Sequence, residues 1–151
     1  MYPVCVPDDA RFEPFAPRTR PTMKLHPDQP QATYHVTAHG PGFVDIAQVR
    51  HHSGVCVVAD APPRPWAVDG FDALCEADFA QLADLGVELV LIGTGLRQRF
   101  PRAALLRALI ARGIGFEIMN TAAACRTYNV LIGEGRRSAA ALLVDTVPDD
   151  L

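Results

Sequence analysis

Hydrophobic and polar positions alternate from Ala32 to Asp60. Tyr34, Val36 and Ala38 fall on one side of an extended chain, and Thr33, His35, Thr37 and His39 fall on the other. That period of two predicts a half-buried strand. Gly40-Pro41-Gly42 supplies a turn, Phe43 to Arg50 runs back, His51 to Gly54 turns again, and Val55 to Ala59 is apolar. The stretch reads as a β-meander with one wet face. Pro62, Pro63 and Pro65 predict an end to regular structure, with Trp66-Ala67-Val68 as a short extra strand.

The second half changes period. Phe71 to Leu85 carries Leu74, Phe79, Leu82 and Leu85 at helical spacing, and Gly86 suits the position just past a helix. Val87 to Ile92 is apolar apart from Glu88, as in a central strand covered on both faces. Pro101 fits the first turn of a helix reaching Arg112, which Gly113 closes. Ile114 to Met119 reads as the next strand. Thr121 is the expected N-cap of a helix through about Ile132, and Gly133-Glu134-Gly135 turns into a last strand, Ser138 to Val144. The order is meander, helix, strand, helix, strand, helix, strand. It predicts an α/β (α+β-like) layered domain with a central mixed sheet.

At 151 residues the chain suits one domain. The expected divisions are a proline-rich tail over 1–22, a single domain over 23–144 and an acidic tail over 145–151. No apolar run approaches the ~20 residues of a membrane span. Met1 to Pro30 holds seven prolines and no apolar h-region, so no signal peptide is expected. Cys5, Cys56, Cys75 and Cys125 form no Cys-x-x-Cys pair, which predicts reduced thiols in the cytoplasm and no zinc site. The net charge of −3 gives no reason to expect a nucleic-acid partner. Its distribution is uneven, however. From Arg97 to Arg137 eight arginines face only Glu117 and Glu134, leaving +6 on this segment and −9 elsewhere. A cationic face predicts an anionic ligand or an acidic partner surface; the plainer alternative, preferred for Arg102, Arg107 and Arg112, is a solvated helix face.

Two strand ends carry the candidate chemistry. Gly93-Thr94-Gly95 directly follows a strand, where backbone can turn sharply beside a ligand. It lacks the third glycine of a dinucleotide fingerprint and the Gly-Lys-Ser/Thr of a phosphate loop, so a tight turn is the plainer reading. Arg97-Gln98-Arg99 adds two guanidiniums able to grip a carboxylate or phosphate. The structural alternative has one of them tie the loop to an acidic residue such as Glu134 or Glu117. Capping by Thr121 would leave first-turn amides, flanked by Ala122 to Ala124, facing an anion, with Arg126 a turn away; the more common outcome for such a run is alanines packed against the sheet. Cys125 lies near that helix start beside Arg126, two features that lower a thiol pKa, although cysteine is also a common buried residue. Tyr128 and Asn129 donate hydrogen bonds into the cleft or fix the helix to the sheet. His51 and His52 read as exposed turn residues without the partners of a metal site. No metal and no cofactor are expected.

Gly93-Thr94-Gly95, Arg97 to Pro101, Asn120-Thr121, Cys125 to Leu131 and Glu134 to Arg137 together resemble the Mth-type domain of unknown function, over about residues 23–144 and most specifically from Val90 to Arg137. That family includes the mitochondrial complex I (NADH dehydrogenase) assembly factor three and the adipogenesis-associated Mth-domain protein. The resemblance implies a three-layer domain with a central mixed sheet and helices on one side. It also implies no established biochemical activity, and for the mitochondrial relatives a role in assembling a respiratory complex without a redox cofactor. Without an Arg- and Ser-rich transit peptide, the chain is expected to be a bacterial, cytoplasmic member. The leading expectation is a non-enzymatic interaction or assembly-type protein whose recognition surface is the cleft edge of Gly93, Thr94, Gly95, Arg97, Gln98, Arg99, Thr121, Cys125, Arg126, Tyr128 and Asn129. The rival is a site for an anionic metabolite or nucleotide that uses Cys125.

Overall fold

The computed structural model describes residues 34–145. The expected tail over 1–22 and the residues after 145 lie outside the described residues. The strands are β1 Val36–Gly40, β2 Phe43–Ile46, β3 Val49–His51, β4 Val55–Val58, β5 Ala61–Pro65, β6 Leu89–Gly93, β7 Gly115–Met119 and β8 Ser138–Leu142. The helices are α1 Glu76–Ala83, α2 Arg107–Ala111 and α3 Thr121–Gly133. β1, β2 and β3 form one antiparallel sheet. The other has the order β5-β4-β8-β6-β7, with β6 parallel to both neighbours and β4 antiparallel to both of its own. The mixed central sheet is as expected.

Four local expectations are corrected. The meander divides, because β4 leaves the first sheet to pair with β5 and β8. Val55, Cys56 and Val57 are all buried, so this strand is covered on both faces and belongs at the centre. The alternation along β1 also fails, because a bulge lies between Val36 and Ala38. Val36 is buried while Ala38 is exposed and His39 half-buried, the phase shift that an extra residue imposes. Pro62, Pro63 and Pro65 do not end regular structure. They lie in β5 at the sheet edge, with Pro62 and Pro63 at a bulge in its pairing with β4, positions where a missing N–H is tolerated. Trp66 is no strand residue; it is buried, donates its indole N–H to the Asp78 carbonyl at 2.8 Å, and meets Phe79 edge-on.

α1 and α2 are shorter than their periodic patterns. A 3₁₀ turn at Phe71–Ala73 precedes α1, whose start is fixed by the Asp78 carboxylate accepting from the Cys75 N–H at 3.0 Å. Another 3₁₀ turn, Ala103–Leu106, precedes α2, so Pro101 lies outside the helix it was expected to open. Arg102 before that turn offers no side-chain cap. His51 ends β3 opposite Val44 instead of lying in a turn.

Alternate residues of the central sheet face opposite layers. Val90, Ile92, Ala139 and Ala141 pack with Phe79 and Leu82 of α1 and Leu109 of α2. Leu91, Ala140, Leu142, Val55 and Val57 pack with Cys125 and Tyr128 of α3 and with Val36, Val44 and Ile46 of the small sheet. Helices therefore cover both faces, not the one side that the resemblance implied. Three consecutive alanines in β8 let both layers approach closely. No helix among the described residues is long and apolar enough to cross a membrane.

Tyr128 and Asn129 take the structural one of their two expected roles. The Tyr128 hydroxyl donates to the Tyr34 carbonyl at 2.8 Å. Asn129 accepts from the Val36 N–H at 2.9 Å and donates to the Val36 carbonyl at 2.7 Å, as a neighbouring strand would. This side chain joins α3 to the small sheet. Asn129→Leu leaves both Val36 groups without partners and is expected to cost about 2–4 kcal/mol in urea unfolding with an unchanged denaturant slope.

Candidate functional site

The two candidate segments do meet, but by bonding to each other. β6 ends at Gly93, where the Cα has no room for a side chain; an added Cβ would lie 2.9 Å from the Thr121 Cα. The Thr94 N–H donates to the Met119 carbonyl at 2.8 Å. Its buried hydroxyl donates to the Arg97 carbonyl at 2.7 Å and accepts from the Arg99 N–H at 3.0 Å, holding the loop closed. Gly95 adopts φ 96°, and its N–H donates to the Thr121 hydroxyl at 2.9 Å while its carbonyl accepts from the Thr121 N–H at 2.9 Å. The Thr121 hydroxyl donates in turn to the Leu143 carbonyl at 2.6 Å. Three chain segments are thus joined through one side chain.

Thr121 is therefore not the N-cap. Asn120 takes that role, its Oδ1 accepting from the Ala123 N–H at 2.8 Å. Asparagine ranks above threonine as a cap, so the expectation of Thr121 passed over the better candidate one residue before it. With the Thr121 and Ala123 amides engaged by the chain itself, the open anion-binding helix end that was expected is largely closed.

The anion is supplied by the protein. The Asp145 carboxylate accepts from the Leu96 N–H at 2.9 Å and pairs with Arg99 at 3.4 Å. Arg99 also donates to the Thr94 carbonyl at 2.9 Å and lies over the Phe71 ring, 4.5 Å from its centroid. Arg99 thus makes the tie to an acidic residue that the structural alternative described, with Asp145 as the partner in place of the examples Glu134 and Glu117. Gln98 bonds the Ile118 carbonyl at 2.9 Å on the edge strand β7. Asp145 was read as the start of an acidic tail; its position directly after the last strand, opposite the Gly95 turn, was the available signal.

The cationic face is also reduced. Arg99, Arg107, Arg112 and Arg136 pair with Asp145, Glu76, Asp84 and Glu88 respectively, acids that lie outside the arginine-rich segment. Arg97 and Arg126 are exposed and have no acidic partner among the described residues. No His/Cys/Asp/Glu group suited to a metal is present among those residues.

Between the β1–β2 turn, the Gly95 loop and the start of α3 lies a cavity of about 130 Å³. Phe43, Leu96, Ala122, Leu143 and Val144 are among its wall residues, with His39 and Asp145 also lining it. The hairpin tip was missed as part of the site, because the bulge that shifts the phase of β1 leaves no mark in the alternation pattern.

A profile described as protein of unknown function (DUF498/DUF598) matches residues 36–143. The chain belongs to this family. An uncharacterized protein of Rhodobacter capsulatus is 42% identical over 110 residues, covering 72% of this chain and 82% of that one. The bovine NADH dehydrogenase [ubiquinone] 1 alpha subcomplex assembly factor 3 is 32% identical over 128 residues, covering 83% of this chain and 68% of that one. A solution structure from Bordetella pertussis, described as an Mth938-like domain, superposes with a TM-score of 0.70 at 33% identity, covering 85% of this chain and 96% of that one. The Mth-type resemblance and its fold are thus the family's own.

In this DUF498/DUF598 chain Cys125 is not an activated thiol. It is fully buried, and burial pushes its thiol up to about 12, against the smaller opposing pull of Arg126. Burial does the same to Cys56, also to about 12, and raises the Tyr128 phenol. Of the two readings of Cys125, the structure has the buried one: the side chain points into the core beside Tyr128, where desolvation outweighs a nearby cation.

The raised values carry a sign. Below pH 9 both thiols are protonated folded and unfolded, so their contribution to stability is fully present. Above it the unfolded chain releases protons that the folded chain holds until about 12. Stability is expected to fall above pH 9, by up to about 1.4 kcal/mol per pH unit for each thiol. Thermal melts from pH 7 to pH 11 read this, and Cys56→Ala and Cys125→Ala should each flatten the alkaline decline.

Gly95→Ala is expected to cost about 2–4 kcal/mol, because the new Cβ meets both the unfavourable φ and the Asp145 carboxylate. Gly135 has φ 79° and nothing near its Cα, so Gly135→Ala should cost only about 1 kcal/mol. Urea unfolding of the pair separates the collision from the backbone conformation.

Proposed function

We propose that this chain is a non-enzymatic interaction protein of the assembly-factor kind, acting in the cytoplasm on a protein partner. The observation that carries the reading is kinship: the bovine relative, alike over 83% of this chain, is described as an assembly factor for NADH dehydrogenase. A multi-subunit NADH dehydrogenase is accordingly the partner class proposed. The site's geometry supports recognition over chemistry. The strongest anion position is held by Asp145, and the most suspect nucleophile, Cys125, is buried and protonated at neutral pH. The cavity of about 130 Å³ is well below the roughly 300–1,000 Å³ of small-molecule sites, which weighs against a nucleotide.

The recognition surface in this reading is the rim that carries Leu96, Arg97 and Arg126. Arg99 is excluded from it because its guanidinium is committed to Thr94, Phe71 and Asp145. Cross-linking of the tagged full chain in its own cells, followed by mass spectrometry, tests the proposal. NADH dehydrogenase subunits are expected with the wild type and should fall at least fivefold with Arg97→Glu/Arg126→Glu, whose melting temperature should stay within a few degrees. An unchanged partner set with the folded variant would contradict the proposal.

A further inference from the structure

The cavity beneath the β1–β2 turn has room for one side chain. Its volume of about 130 Å³ is close to the roughly 150 Å³ of an apolar cavity that admits benzene. Phe43, Val44, Leu143 and Val144 give it apolar walls. Asp145 is the one charged wall residue, and its two carboxylate oxygens are already directed to the Leu96 N–H and to Arg99. An apolar group entering the cavity therefore does not displace water from an unpaired charge.

The surroundings have a different character. Leu96 forms a lip that is 53% exposed, and exposed Arg97 follows it. Ala122 lies in the wall, and Arg126, four residues along α3, lies on the same helical face. Val130 continues that stripe and is 59% exposed. Leu96, exposed at the lip, is apolar area that a partner can cover. Arg97 and Arg126 are the cations of this rim, with no acidic partner among the described residues. The combination is an apolar hole inside a positive rim, the arrangement in which one buried anchor supplies affinity and complementary charge supplies orientation.

We propose that this cavity is the anchor pocket for an acidic segment of the partner protein, with one leucine- or phenylalanine-sized side chain inserted and flanking Asp or Glu residues placed on Arg97 and Arg126. The inference rests on the reading of the chain as an interaction protein and adds the chemistry of what it recognises. Phosphate alone is too polar for the walls. Basic segments are repelled by the rim.

NMR titration of the ¹⁵N-labelled full chain with three capped pentapeptides tests the pocket: Glu-Glu-Phe-Glu-Glu, the same peptide with a central Ala, and Lys-Lys-Phe-Lys-Lys. The first should shift the amides of Gly42, Leu96, Ala122 and Val144, and the other two should bind at least tenfold more weakly. Ala122→Phe, which fills the cavity, should weaken the first peptide more than tenfold. Should that variant not fold, Arg97→Glu/Arg126→Glu must give the same loss from the surface. Equal binding of the Phe and Ala peptides, shifts confined to other amides, or no binding of any peptide would overturn the assignment. So would shifts at these four amides on raising protein concentration without peptide, which would make a second copy the occupant. In cells, a partner lost with the arginine variant but kept with Ala122→Phe would leave the interaction role standing and remove the pocket; a partner kept with both would remove the role.

Discussion

The Thr121 hydroxyl is the contact on which the rest of the site depends. It accepts from the Gly95 N–H and donates to the Leu143 carbonyl, so the ends of β6 and β8 are held at the start of α3 by one side chain. A hydroxyl offers a donor and an acceptor within a small volume, which lets one side chain make both bonds. With those ends held together, Gly93 must be glycine to let the Thr121 backbone approach, and Gly95, at positive φ, must lack a Cβ to leave room for Asp145. The Asp145 carboxylate then falls against the Leu96 N–H and Arg99. A position that can hold an exogenous anion is thereby made internal, and the space that remains is apolar.

Much of the architecture was legible in the chain. β6 and β7 are apolar runs ending in glycine or polar residues, and both proved to be strands of the central sheet. What escaped depends on partners distant in sequence. Counting arginines against the acids of their own segment gave a cationic face; folding delivers Glu76, Asp84, Glu88 and Asp145 to those arginines from outside it. A bulge between Val36 and Ala38 is a geometric event with no residue signature, yet it shifts the phase of β1 and accompanies His39 into the cavity wall. Cys125 illustrates the same limit from the opposite side. Its neighbours in sequence favour a thiolate, and its neighbours in space remove the water that a thiolate needs.

Tyr128 and Asn129 belong to the frame. By bonding Tyr34 and Val36 they attach the small sheet to α3, and the small sheet carries the hairpin tip that closes the cavity. The site is therefore assembled from three elements whose mutual placement rests on side-chain to main-chain hydrogen bonds. The matched DUF498/DUF598 span, residues 36–143, contains this frame apart from Tyr34, and its donors and acceptors are mostly spent on holding the shape.

The most direct measurement of the central claim is a crystal structure of the full chain grown in concentrated phosphate. The account predicts that the Asp145 carboxylate stays on the Leu96 amide and Arg99, with no phosphate at the turn and the adjoining cavity free of anions. Phosphate bound between the Gly95 turn and the start of α3, with Asp145 displaced, would contradict it.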